Sequence, residues 1–152
     1  MPDDRERCYA AALRILSYRF NSEGELRRKL AGKNFERETI DAVIDKLRRE
    51  NWIDDDRFAA AFVRTRVRKG IGRLRIKREL TAAGVSAGII ATAIGENVPA
   101  EGERAAAEKL ARKKFTLVRR RSDAEAARNK VAAYLQRQGY DTAVVIEIVR
   151  KL

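Results

Sequence analysis

An all-α, elongated array of three tandem three-helix repeats is the fold this sequence predicts. Three observations predict it: an apolar and turn-forming pattern that recurs three times, helical spacing within every copy, and a composition with two prolines and nine glycines in 152 residues. Hydrophobic residues make up 45% and charged residues 37%, a balance that supports a folded, helix-rich chain. Leu26, Leu30, Asn34, Phe35, Ile40, Val43, Ile44 and Leu47 return 50 positions later as Ile76, Leu80, Gly84, Val85, Ile90, Ala93, Ile94 and Asn97. After 55 more positions they return as Val131, Leu135, Gly139, Tyr140, Val145, Ile148, Val149 and Leu152.

In the first copy a helix is predicted over Tyr9–Tyr18. Ser22-Glu23-Gly24-Glu25 then reads as a capping box that starts a second helix carrying the Leu26 and Leu30 pair. Asn34 stands where that helix turns off in the left-handed conformation. Ile40, Val43, Ile44 and Leu47 form the i, i+3, i+4, i+7 stripe of a third helix, entered through Glu36, a poor N-cap type.

The second copy repeats the plan with a helix over Arg57–Arg68 and a tighter corner at Gly70-Ile71-Gly72. Its middle helix holds Ile76 and Leu80, and Ser86 is a strong N-cap ahead of the third. The third copy opens with a helix over Gly102–Lys114, and Ser122-Asp123-Ala124-Glu125 reads as a second capping box. Ser122 to Leu135 spans five residues more than Ser22 to Leu30, so the middle helix of this copy is predicted to be longer by over a turn. Asp141 caps its last helix. The repeats are bounded at 8–53, 54–98 and 100–152, with Gly95 to Ala100 as the most evident hinge. Units of this kind bury their faces against neighbours, which predicts the elongated shape.

The chain has no histidine, which removes the usual general base near neutral pH, imidazole metal ligands and Ser-His or Cys-His pairs. Its one cysteine, Cys8, forms no internal disulfide, reads as a small buried hydrophobe and fits a reducing cytoplasm. The longest uncharged run, Leu80 to Gly95, is 16 residues with three glycines, so no membrane association is expected.

Charge decides the class of partner. Lysine plus arginine is 34 against 22 acids, a net +12, and the excess is concentrated in two stretches. Residues 64–79 are net +7 through Arg64, Arg66, Arg68, Lys69, Arg73, Arg75, Lys77 and Arg78. Residues 104–121 are again net +7, through Arg104, Lys109, Arg112, Lys113, Lys114, Arg119, Arg120 and Arg121. The remainder of the chain sums to −2. Clustered cations without balancing acids repel one another unless a polyanion or acidic surface supplies the counter-charge. The candidate binding residues are the eight of the first stretch together with Arg112, Lys113, Lys114, Arg119, Arg120 and Arg121 of the second.

Three other features have plainer readings. Gly70 and Gly72 between cations admit close approach of backbone N–H groups to an anion, but a turn accounts for them better. Tyr9, Phe35, Phe58, Phe62 and Tyr140 fall inside the apolar pattern and read as core. Trp52 is expected to seal the junction between repeats one and two. Asp54-Asp55-Asp56 suggests a divalent metal for phosphodiester hydrolysis, yet consecutive carboxylates at a helix start diverge, and capping explains them better.

Leu13-Arg14-Ile15-Leu16-Ser17-Tyr18-Arg19 followed by Glu25-Leu26-Arg27-Arg28-Lys29-Leu30 resembles the RecX family, regulators of the RecA recombinase. The resemblance is stronger at Trp52-Ile53-Asp54-Asp55-Asp56-Arg57-Phe58-Ala59, then Arg64, Arg66, Lys69-Gly70, Gly72-Arg73, Glu79-Leu80 and Gly84-Val85. Departures are Asn34 for a usual glycine, Ile71 for a common proline, and the longer third repeat. The resemblance implies a curved, extended, non-catalytic protein that lies in the groove of RecA nucleoprotein filaments and modulates recombinase and ATPase activity, commonly as an inhibitor. Together with the composition, the expectation is a cytoplasmic monomer acting in DNA repair and recombination, with a RecA-type filament and DNA as partners and no cofactor, metal or catalytic residue. The alternative from charge alone is a stand-alone DNA-binding protein using helix-turn-helix-like repeats.

Overall fold

The structure is a computed structural model that describes residues 3–152. Among the described residues there are nine helices and no strand: α1 (Asp4–Tyr18), α2 (Glu23–Gly32), α3 (Arg37–Arg49), α4 (Asp55–Arg68), α5 (Arg73–Ala82), α6 (Ala87–Asn97), α7 (Ala100–Arg119), α8 (Ala124–Gln138) and α9 (Thr142–Arg150). The predicted all-α plan of three helices per repeat is therefore observed.

The repeating positions are the buried ones. Leu26, Leu30, Ile44 and Leu47 in the first copy, Ile76 and Leu80 in the second, and Val131 and Leu135 in the third are fully enclosed. Each such side chain contributes about 1.5–3 kcal/mol by leaving water. The turn-forming position is left-handed in every copy, with φ of 68° at Asn34, 81° at Gly84 and 97° at Gly139. Asn97, at an apolar place in the pattern, instead turns its Nδ2 onto the Ala93 carbonyl at 2.8 Å.

Caps explain where helices start. The capping box at Ser22 is formed, with Ser22 Oγ accepting from Glu25 N–H at 3.0 Å and Glu25 Oε1 from Ser22 N–H at 3.1 Å. Glu36 makes no cap bond through its side chain, as its type predicts. The second box is not formed. Asp123 is the N-cap of α8, its Oδ1 accepting from Ala126 N–H at 2.8 Å, and Ser122 accepts from Lys130 Nζ instead. A full anion at the positive helix end outcompetes the neutral hydroxyl one residue earlier. α1 likewise begins at Asp4 and not at Tyr9, because Asp3 Oδ1 accepts from Glu6 N–H at 2.8 Å and two acids fill the first turn.

The third repeat is lengthened on both arms of a helical hairpin. α8 has 15 residues against 10 in α2, as predicted. α7 runs on to Arg119, beyond the predicted end at Lys114, because Phe115 packs onto the core of this repeat and holds another turn in place.

The chain divides into two compact units, one of Met1–Ala59 with Leu80–Ile90 and one of Ala60–Glu79 with Ala91–Leu152. In the first, α1, α2 and α3 pack on one another around Cys8, Ala12, Leu26, Leu30, Ile40, Val43, Ile44, Leu47 and Ile53. In the second, α7, α8 and α9 enclose Ala107, Ala111, Val131, Leu135, Tyr140, Val145 and Ile148. Trp52 does not seal a junction. It is 50% exposed while its neighbour Ile53 is 3% exposed, because Asn51 adopts φ 62° and closes α3 with Trp52 N–H donating to Leu47 O at 2.9 Å. That left-handed turn carries the indole outward and Ile53 inward.

One device occurs once in each unit: the N-terminus of a middle helix meets the C-terminal turn of the next repeat's middle helix. In the first unit Ser22 Oγ donates to Ala83 O at 2.6 Å, and Gly24 lies against Ala83 and Gly84 so closely that a Cβ would sit 2.7 Å from the Ala83 oxygen. In the second, Gly72 N–H donates to Gln138 O at 2.7 Å and Leu74 N–H to Gly139 O at 3.0 Å. Positive and negative helix ends are thereby matched.

A carboxylate from the first helix of the next repeat completes each contact. Asp55 Oδ1 accepts from Glu23 N–H at 2.9 Å, and Glu103 accepts from the backbone N–H of Arg73. Burial, ahead of every other cause, pushes both carboxyls above the ordinary range. A folded-state pKa raised above the unfolded one stabilises most at acid pH and loses that contribution as pH rises through the folded value. Asp55→Asn is expected to keep the acceptor and flatten this acid-range slope, whereas Asp55→Ala is expected to cost about 1–2 kcal/mol by orphaning an N–H. Urea unfolding across that range checks both.

Candidate functional site

Both predicted basic clusters fall in the second unit. The first runs along the last turns of α4, the corner after it and the first turns of α5; the second lies on the C-terminal half of α7 and its link to α8. Amphipathic spacing positions them. On α4, Ala59 and Val63 face inward while Arg64 and Arg68, one turn apart, are exposed. On α5, Ile76 is enclosed while Arg73, Lys77 and Arg78 are exposed. On α7, Ala107 and Ala111 are enclosed while Arg112 and Lys113 face outward.

The candidates separate into two sets by what they touch. Glu79 holds Arg66 Nη2 at 2.8 Å and Arg75 Nε at 2.9 Å, and Arg75 Nη1 also donates to Gln138 Oε1 at 3.3 Å. The Arg66 guanidinium lies 4.9 Å from the centre of the Phe62 ring. Arg112 reaches Glu108 at 3.5 Å, Lys114 lies over Tyr134 at 5.1 Å, and Arg119 Nη1 donates to Ser122 O at 3.0 Å. By contrast Arg64, Arg68, Lys69, Arg78, Lys113, Arg120 and Arg121 are exposed and form no ion pair with another described residue. Arg73 and Lys77 are exposed beside them on α5, Arg73 near the Glu103 carboxylate.

Glu79, the one acid of the first stretch, pairs in a way that the charge sum alone does not show. Its i, i+4 relation to Arg75 is readable in the sequence, but the approach of Arg66 from another helix is not. Two exposed leucines also stand among the cations, Leu74 at 41% and Leu117 at 52%.

The corner between the clusters is a turn and not an anion cradle. Gly70 adopts φ 77° beneath Leu110, the Gly72 N–H is committed to Gln138, and Tyr140 Oη donates to the Gly70 carbonyl at 2.8 Å. Burial, aided by Glu103, pushes the Tyr140 hydroxyl up to about 12, so this donor keeps its proton throughout the physiological range. Asp54 acts as the capping reading requires, its Oδ1 accepting from Arg57 N–H at 3.2 Å, whereas Asp55, in the first turn of α4, turns its Oδ1 to Glu23 N–H at the start of α2. Phe58 and Tyr140 are buried and Tyr9, Phe35 and Phe62 partly so, in keeping with core packing. Cys8 is enclosed and free. Among the described residues no helix is long and apolar enough to cross a membrane.

Residues 8–47 match the first three-helix domain of RecX, residues 54–94 the second and residues 101–149 the third. Regulatory protein RecX of Clostridium perfringens (strain 13 / Type A) is 35% identical over 151 residues, covering 99% of this chain and 70% of that protein. Regulatory protein RecX of Mycobacterium marinum (strain ATCC BAA-535 / M) is 33% identical over 149 residues, covering 97% of this chain and 86% of that protein. The crystal structure of RecX from Lactobacillus salivarius superposes with a TM-score of 0.84 at 25% identity, covering 100% of this chain and 98% of that one. These relatives are named as regulatory proteins and not as enzymes.

Proposed function

This chain belongs to the RecX family through all three of its three-helix domains, and from that premise we propose that it binds RecA-type recombinase filaments on DNA and inhibits their recombinase and ATPase activity. The observation that supports the reading is the set of seven exposed cations, in two clusters, that form no ion pair with another described residue. Such cations are stable in water but gain most where an anionic surface replaces the solvent. Five of the seven are forked guanidiniums, Arg64, Arg68 and Arg78 in the first cluster and Arg120 and Arg121 in the second, suited to bidentate contact with phosphates or carboxylates. Repeats bounded at 8–53, 54–98 and 100–152 would each address part of the filament, the monomeric protein meeting acidic side chains, DNA phosphates, or both.

Inhibition then follows from differential binding. A ligand that spans neighbouring recombinase protomers in one nucleotide state draws the filament toward that state, and turnover slows in proportion to the difference in affinity. The test is a titration of this protein into a recombinase assembled on single-stranded DNA, following ATP hydrolysis and strand exchange. The expected result is loss of both at protein concentrations below that of the recombinase, with binding to coated DNA stronger than to naked DNA. Unchanged hydrolysis alongside tight naked-duplex binding, with a log-log salt slope of about −0.9 per phosphate, overturns it in favour of the stand-alone DNA-binding reading.

A further inference from the structure

A groove of about 320 Å³ opens between α1 and α3 in the first unit, away from both basic clusters in sequence. Its floor is the Tyr9 ring with Ala42 and Val43, and its rim is Arg5, Lys46 and Arg49, with Glu6 the acid of the lining and Glu50 bonded to the Tyr9 hydroxyl. We propose that this groove is a docking site for an acidic segment of a partner protein that carries an apolar anchor residue. It goes beyond the filament reading, since it concerns a different surface and a partner identified only by its chemistry.

The size of the positive surplus sets this groove, with three cations against one carboxylate in its lining, apart from three other surface cavities. The cavity of Glu23 and Asp54 is acidic, with Arg48 paired to Glu23 at 2.7 Å; the one floored by Phe35 and Ile40 has Arg27, paired with Asp41, and Arg37; the one beside Leu152 has Arg112, paired with Glu108 at 3.5 Å, and Lys151. Arg5, Lys46 and Arg49 form no ion pair with a described residue. The groove therefore keeps a surplus of positive charge over an apolar floor, which is complementary to acidic side chains flanking a large apolar one. Its volume lies at the low end of ligand pockets, room for one anchoring side chain.

Tyr9 decides against a nucleobase. Its hydroxyl donates to Glu50 Oε1 at 2.8 Å, and the Lys46 ammonium already lies 4.2 Å from its ring centre. The ring is thus held, and the face that the ammonium covers is closed to a stacking base, while the rest of the ring remains part of the apolar floor. The same cation is well placed to meet a carboxylate at the rim.

Two fluorescein-labelled peptides test the proposal: one with a Leu-Phe pair flanked by glutamates, and one with both apolar residues replaced by alanine. Anisotropy and amide chemical shifts are recorded on the full chain. The Leu-Phe peptide is expected to shift the amides of Tyr9, Ala42, Val43 and Lys46 and to bind about tenfold more tightly than its alanine counterpart. Lys46→Glu with Arg49→Glu is expected to weaken it by about tenfold or more, and Ala42→Trp, which fills the groove from a partly exposed position, to do the same with an unchanged helical circular-dichroism signal. Equal binding of the two peptides, shifts confined to α5 and α7, or stronger occupancy of these amides by a single-stranded oligonucleotide each overturns it.

Discussion

A single methyl group at Gly139 is expected to cost this protein about 3 kcal/mol, the sum of a left-handed backbone that alanine resists and a contact that cannot relax. Gly139 has φ 97°, and a Cβ there would lie 2.3 Å from the Arg75 Cβ and 2.6 Å from the Arg75 nitrogen. Backing away is opposed by the bonds that fix the contact: Gly139 O accepts from Leu74 N–H at 3.0 Å and Gln138 O from Gly72 N–H at 2.7 Å. Gly72→Ala attacks the same joint from the other side, since its Cβ would fall 2.5 Å from the Gly139 carbonyl. Gly88 and Gly95 in α6 meet nothing within 4 Å, so alanine at either is expected to stabilise by about 0.5–1 kcal/mol through lower chain entropy. Urea midpoints of the four variants check this. Gly139→Ala within about 1 kcal/mol of the parent chain would mean that the joint yields and that helix-end matching contributes little.

The same joint shows what a sequence discloses and what it withholds. Asn34, Gly84 and Gly139 were legible as helix ends because a left-handed residue after an apolar pair is a local signal. The buried stripes were legible for the same reason: Ile40, Val43, Ile44 and Leu47 advertise one face to anyone who reads at a period of 3.6. Asp55 stands at the start of its own helix, yet its oxygen accepts from the first residue of a helix 32 residues earlier. Glu103 likewise serves Arg73. No spacing encodes such pairs, because they exist only after the repeats have docked. Trp52 failed for a related reason, since one left-handed asparagine exchanged the places of two adjacent apolar residues. At Ser122 the sequence did hold the answer: aspartate and serine stood side by side, and the charged cap won.

The basic clusters were legible as sums but not as partners. Counting charge gives +7 for residues 64–79 whichever way the side chains face. Folding then divides the count, because Glu79 draws Arg66 and Arg75 together while Arg64, Arg68 and Arg78 remain exposed.

That division makes a prediction with the largest functional effect. The triple reversal Arg64→Glu, Arg68→Glu, Arg78→Glu is expected to leave stability within about 0.5 kcal/mol, since exposed cations without partners hold little of the fold. It is expected to weaken filament binding by about 100-fold or more, because three attractive contacts become repulsive against one anionic surface. Arg66→Glu should behave in the opposite sense. Its carboxylate would face Glu79 across the former 2.8 Å contact, and a loss of about 1–2 kcal/mol is expected before any effect on binding. Salt dependence then separates the possible anions. If DNA phosphates receive the three arginines, the triple variant also loses about 0.9 of log-log slope per contact, whereas contact with recombinase carboxylates lowers affinity with a smaller change in slope. Binding that survives the triple reversal while failing with Arg66→Glu would show that the paired arginines, and not the exposed ones, face the filament.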